Sequence, residues 1–82
     1  MSSMAQPRYL KTRQFVPGKG MSFTFYEIDT DDMILRMLTH LPDQDEVVHL
    51  EQSQPRKLFA PERCEEVDAI EFEELWQRRE GR

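Results

Sequence analysis

Val67-Asp68-Ala69-Ile70-Glu71-Phe72-Glu73-Glu74-Leu75-Trp76 reads as the beginning of an amphipathic helix, and its apolar side dictates what the rest of the chain must provide. Asp68 stands three residues before Glu71, the spacing of a capping box in which two side chains satisfy two orphan amides. Val67 and Phe72 take the flanking positions of a hydrophobic staple. At about 100° per residue, Phe72, Leu75, Trp76 and the stem of Arg79 share one face, while Glu71, Glu73, Glu74, Gln77 and Arg78 point elsewhere. Ile70 falls outside the apolar stripe, either under the preceding loop or open to contact. The helix is expected from Ala69 to about Glu80, ended by Gly81, with acids early and Arg78 and Arg79 late, as the macrodipole favours. Such a helix needs an apolar surface to lie on.

The preceding residues supply strands. Tyr9-Leu10-Lys11-Thr12-Arg13-Gln14-Phe15-Val16 alternates, with Leu10, Thr12 and Val16 on one side and Tyr9, Lys11, Arg13 and Phe15 on the other. Pro17-Gly18-Lys19-Gly20 reverses the chain. Met21 to Ile28 then puts Met21, Phe23 and Phe25 on one face, after which Tyr26 and Ile28 fall on the opposite one. Either a bulge at Phe25-Tyr26 or burial of both faces explains the switch. After the acidic turn Asp29-Thr30-Asp31-Asp32, Met33 to Leu41 fits a strand with Met33, Leu35, Met37 and Leu41 inward; helical spacing fits part of it, but the short flanking turns favour a meander. Pro42-Asp43-Gln44-Asp45 leads into a short strand, Glu46 to Leu50. Gln52 to Arg63, bracketed by Pro55 and Pro61, is irregular, with Leu58 and Phe59 expected to tuck onto the core. The expected fold is α+β: a small antiparallel meander of about four strands with one C-terminal helix packed on the sheet. Residues 1–7 read as a flexible leader and residues 8–82 as a single domain.

Composition narrows the class. At 82 residues the core is thin, since a chain of this size buries only about 60% of its unfolded surface. Its 38% hydrophobic content is nonetheless too high for a disordered chain. The single cysteine, Cys64, excludes an internal disulfide framework and points to a reducing compartment. There is no apolar run near the roughly 20 residues of a membrane span and no signal-peptide core, so a cytoplasmic location is expected.

The tail "VDAIEFEELW" and the hairpin "FYEIDTDDMILRML" resemble a family of small bacterial proteins that form a domain of unknown function. Those proteins open with a strand carrying an aromatic and a lysine, pass through a Glu-Asp-rich hairpin, and close with a capped helix reading like E-F-E-x-x-W. The resemblance spans Tyr9 to Trp76, except that Gln52 to Cys64 and the Pro17 to Gly20 turn depart from it. It implies the β-meander with a C-terminal helix and brings no activity or site residues. Many small acidic bacterial domains of this sort look like immunity proteins, an analogy of fold class.

The residues offer little for catalysis. His40, His49 and Cys64 lack any zinc-ligand spacing, and no metal or cofactor is expected. Asp29 to Asp32 has Ile34 and His40 where a calcium loop needs its Gly and its bidentate Glu, so it reads as a turn. Glu71, Glu73 and Glu74 spread around a helix rather than converging, and Cys64 lies between Arg63 and Glu65-Glu66 in a mixed field. An enzyme is not expected.

Charge layout points instead to binding. The net charge of −5 is divided unevenly: the first 26 residues carry Arg8, Lys11, Arg13 and Lys19 and no acid, and seven acids lie between Glu62 and Glu74. Such a field disfavours nucleic acid and favours a basic protein partner. Glu66, Ile70, Glu73, Glu74 and Gln77 are the expected contacts, and an immunity or inhibitor role fits them. The alternative is a nucleic-acid module built on Arg8, Lys11, Arg13 and Phe15, a basic-aromatic strand. Alternatively the same strand is simply a charged sheet edge, or an edge that self-associates.

Overall fold

β1 (Arg8–Val16), β2 (Gly20–Ile28), β3 (Ile34–Leu41) and β4 (Glu46–His49) pair antiparallel with their sequence neighbours, as the alternating pattern expects. The computed structural model describes residues 6–50 and 54–78. It adds a strand that alternation had not suggested: β5 (Glu65–Glu66) pairs with Leu10 and Lys11, giving the order β4-β3-β2-β1-β5. Two residues are too few to show a period, so β5 is visible only through its partner. The run from Met33 is strand, beginning at Ile34, with Met33 in a bridge to Lys57.

Cross-strand register shows why the sheet is covered on both sides. Lys11, Phe25, Leu38 and His49 form one row, and Tyr9, Glu27 and Arg36 another, all on a single face. The helix α1 (Ala69–Arg78) lies there, burying Phe72 and Leu75 against Phe25 and Leu38, with Tyr9, Val67 and Trp76 around them. On the opposite face Leu10 and Ile28 receive Leu58 from the irregular segment, with Tyr26, Ile34 and Cys64 at the margin. Both-face burial therefore explains the switch at Phe25-Tyr26. The register shift comes later, between Glu27 and Ile28.

That shift also corrects the inward set of β3. Leu41 is buried as expected, but Leu38 is fully buried because Arg36, Leu38 and His40 face the helix whereas Met37 lies on the other side. Leu35 is exposed as the residue skipped between the Glu27–Arg36 and Ile28–Ile34 pairs. Phe59 is a second correction: only Leu58 tucks in, and Phe59 is 89% exposed. The two are adjacent in a segment that crosses the sheet, so their side chains diverge.

At the start of α1, the Asp68 carbonyl accepts the Phe72 N–H (3.3 Å) and Val67 packs with Phe72 as the staple expects. Among the described residues the reciprocal side-chain bonds of a capping box are not formed, and Glu71 reaches Lys11 instead (3.9 Å). The expected helix end, Arg79 to Gly81, lies outside the described residues, as do residues 1–5 of the leader and residues 51–53.

The β1–β2 turn requires glycine twice, for unequal reasons. Gly18 and Gly20 both have positive φ (86° and 89°), but a Cβ on Gly18 meets open space and one on Gly20 would sit 2.0 Å from Asp43 Oδ2. Gly18→Ala should cost about 1 kcal/mol from backbone strain alone, and Gly20→Ala about 2 kcal/mol because the Asp43 side chain must also move. Urea midpoints of the two variants check the order.

Candidate functional site

α1 presents an outward ridge of Ile70, Glu74 and Gln77, opposite the buried Phe72 and Leu75. Ile70 is 71% exposed, so the preceding loop does not cover it. Glu74 makes no ion pair among the described residues. Glu66 is exposed on β5 at the sheet edge and lies 3.6 Å from Arg8 Nε, an exposed pair of the kind that contributes little.

Glu73 stands apart from the other expected contacts because it is half-buried and turned toward the sheet. Its carboxylate accepts hydrogen bonds from both terminal nitrogens of Arg36. Arg36 is the residue that sequence reasoning missed. Its Nε donates to Glu27 Oε1 (2.6 Å), its Nη2 donates to Glu27 Oε2 (3.0 Å), and the Tyr9 hydroxyl donates to the same Glu27 oxygen (2.8 Å). The guanidinium also lies against the rings of Phe72 (5.0 Å) and Trp76 (4.8 Å). One cation thus bridges two acids on different elements and two aromatic rings of the helix, a geometry suited to Arg and not to Lys.

Electrostatics follow from this arrangement. Hydrogen bonds from Arg36 hold the Glu27 carboxyl below the usual carboxylate range against the opposing effect of burial, with Tyr9 assisting. Burial, then the hydrogen bond to Glu27, raises the Tyr9 hydroxyl. Arg36 is driven further into its charged form by Glu27 and then Glu73. Arg36 thus ties Glu73 of the helix to Glu27 and Tyr9 of the sheet in one hydrogen-bonded set. This set holds the helix on the sheet, with Arg36 as the common partner of both acids.

The other candidates are dispersed. His40 and His49 lie diagonally on the helix face, and Cys64 packs on the opposite face beside Leu10 and Leu58. The His49 ring stacks on Trp76 (3.4 Å between centroids), and its Nε2 lies 2.9 Å from the Trp76 carbonyl. Burial, and next the nearby Arg78, lowers the His40 pKa, with Asp45 and Glu71 opposing. Between that lowered value and the ordinary imidazole value the unfolded chain binds more protons than the folded one. Stability is therefore full above the ordinary value and declines as pH falls below it. His40→Gln should remove this slope, as chemical denaturation at pH 7.5 and 5.5 would show. Burial, then Glu62, raises the Cys64 thiol, which favours the unreactive protonated form. In the acidic turn, Asp29 Oδ1 accepts the N–H groups of Asp31 (2.8 Å) and Met33 (3.0 Å), so that carboxylate already has a structural task.

The basic strand is divided by its own geometry. Arg8 pairs with Glu66, and its even position puts it on the face opposite Lys11. Lys11 leans over Phe23 (5.3 Å) and Phe25 (5.7 Å) and toward Glu71. Arg13 and Phe15 remain outward, with Phe15 65% exposed. The edge that might self-associate is likewise half occupied, since β5 covers Leu10 and Lys11.

Comparison with family models, with curated proteins and with solved structures returns no match. The functional reading therefore rests on the geometry of this chain. Among the described residues no helix is long and apolar enough to cross a membrane.

Proposed function

We propose that this chain is a small protein-binding domain without catalytic machinery, docking a basic partner through the outward ridge of α1. The observation that carries the reading is Ile70: a large apolar side chain left in water on a helix whose neighbours Glu74 and Gln77 are also outward. An apolar anchor with a polar rim is the usual anatomy of a contact surface, and the surrounding carboxylates would steer a cationic partner. Glu66 extends the rim, whereas Glu73 acts from within by holding the helix in place. An immunity or inhibitor protein that covers a basic surface of its target in a bacterial cytoplasm is the finer form of this proposal.

Ile70→Ser combined with Glu74→Lys tests it, since both positions are exposed and the fold should be unaffected. Immobilised wild-type protein should retain a basic protein from nuclease-treated host extract that the double variant does not. Equal retention by both would remove the ridge from consideration. The nucleic-acid alternative keeps only Arg13 and Phe15 as outward groups. Filter binding at two salt concentrations should show no steep salt dependence, which phosphate contacts would produce.

A further inference from the structure

We infer that the open half of the β1 edge is a second binding site, which takes an extended acidic peptide as an added strand. This inference is independent of the α1 ridge. The backbone supplies the first argument. The Val67 N–H bonds to the Tyr9 carbonyl (2.9 Å), so Tyr9 and the other odd residues of β1 direct their polar groups to the outer edge. The Lys19 N–H bonds to the Val16 carbonyl (2.9 Å), consistent with even residues facing β2. β5 satisfies the edge only as far as Lys11, because the chain enters the 3-10 turn Pro61–Arg63 on the other side of Cys64. The N–H and C=O groups of Arg13 and Phe15 are therefore left pointing outward, and among the described residues no strand meets them. An added strand is the one occupant that pairs such a row in full.

The charge around that edge selects the peptide. Lys11, Thr12, Arg13, Arg63 and Glu65 line an open groove of about 380 Å³ beside it, three cations against one acid. Arg13 and Arg63 are exposed and make no ion pair among the described residues. The chain itself supplies the precedent: the segment that does pair with this edge, β5, reads Glu65-Glu66, and Glu66 lies by Arg8. A second copy paired antiparallel through the open residues would bring the Arg13 and Arg63 side chains of the two copies close together, which like-charge repulsion disfavours. A polyphosphate has no backbone N–H and C=O groups to pair with the alternating donors and acceptors of the edge, which a peptide strand matches. Charge placed there solely against aggregation would leave the Arg13 and Phe15 amides unprotected by any peptide.

The probe is an acetylated ten-residue peptide alternating glutamate with valine, titrated into the isotopically labelled full chain while amide exchange is followed. The amides of Arg13 and Phe15 should gain protection, and a peptide with lysine replacing glutamate should give none. Arg13→Glu with Arg63→Glu should weaken binding by about tenfold or more, because both contacts become repulsive. Phe15→Pro removes an outward N–H without touching the β1–β2 bonds, so it should abolish binding while Phe15→Ala retains part of it. Absence of protection, equal binding of the lysine peptide, or indifference to Phe15→Pro would each overturn the inference. It would also be overturned if oligothymidylate took the same amides more tightly, or if sedimentation showed the edge closed by self-association.

Discussion

Arg36→Ala is expected to destabilise the domain by about 3 kcal/mol, because it leaves Glu27 buried and ionised without its cation. Glu27 is only 7% exposed and Glu73 is half-buried, so water replaces the lost hydrogen bonds incompletely. The guanidinium also lies against Phe72 and Trp76, so truncation removes packing as well as charge. A domain of this size has about 4–12 kcal/mol of total stability, so the variant should denature at clearly lower urea. Its pH dependence should change as well. In the wild type the Glu27 pKa lies below its unfolded value, so its stabilisation is present above the unfolded value and disappears as pH falls through the folded one. Without Arg36, burial dominates and raises that pKa, so protonation in mild acid relieves the variant. The stability gap between the two proteins should therefore narrow between pH 7 and pH 4. A constant gap would mean that packing, not charge, is what Arg36 contributes.

Phe72→Ala should have a comparable or larger effect, about 3–5 kcal/mol, since Phe72 is fully buried at the centre of the helix–sheet contact. Its ring meets Tyr9 (5.2 Å) and Trp76 (5.9 Å) as well as the Arg36 guanidinium, so the cavity adjoins the ionic cluster. Thermal or urea unfolding should show α1 and the sheet losing structure together, with the Trp76 signal reporting both. Leu75→Ala, at the same contact but slightly less buried, should cost less. If Leu75→Ala were the more damaging variant, the helix would be held chiefly at its C-terminal half.

Much of this architecture was legible because its signals are local. Alternation with turn residues at Pro17-Gly18 and Pro42-Asp43 is enough for strands to be placed, and Phe72, Leu75 and Trp76 at helical spacing identify the buried side of α1. What escaped depends on which residues face one another across the chain. β5 has no pattern of its own, and Leu35 is the extra residue at the register shift between β2 and β3. Arg36 left a signal that could have been used: it is the single cation in an otherwise apolar run, and Glu27 is the first acid of the strand preceding it. A lone charge in each of two adjacent buried strands implies a pair between them, given a register that only the structure supplies. The expected acidic site failed to distinguish Glu73 from Glu74 for the same reason. Helical spacing separates them by about 100°, yet only Arg36 decides that one turns inward.

The strand order has a consequence for how the molecule is made. β4 and β5 occupy opposite borders of the sheet, so the chain between them carries Leu58 beneath one face before α1 returns over the other. The last third of the polypeptide thus clasps the first two thirds, with the earliest strand held by one of the latest segments. During synthesis the meander must wait, both faces wet, until the C-terminal residues emerge. Closing so long a loop makes docking of the clasp the natural slow step of folding.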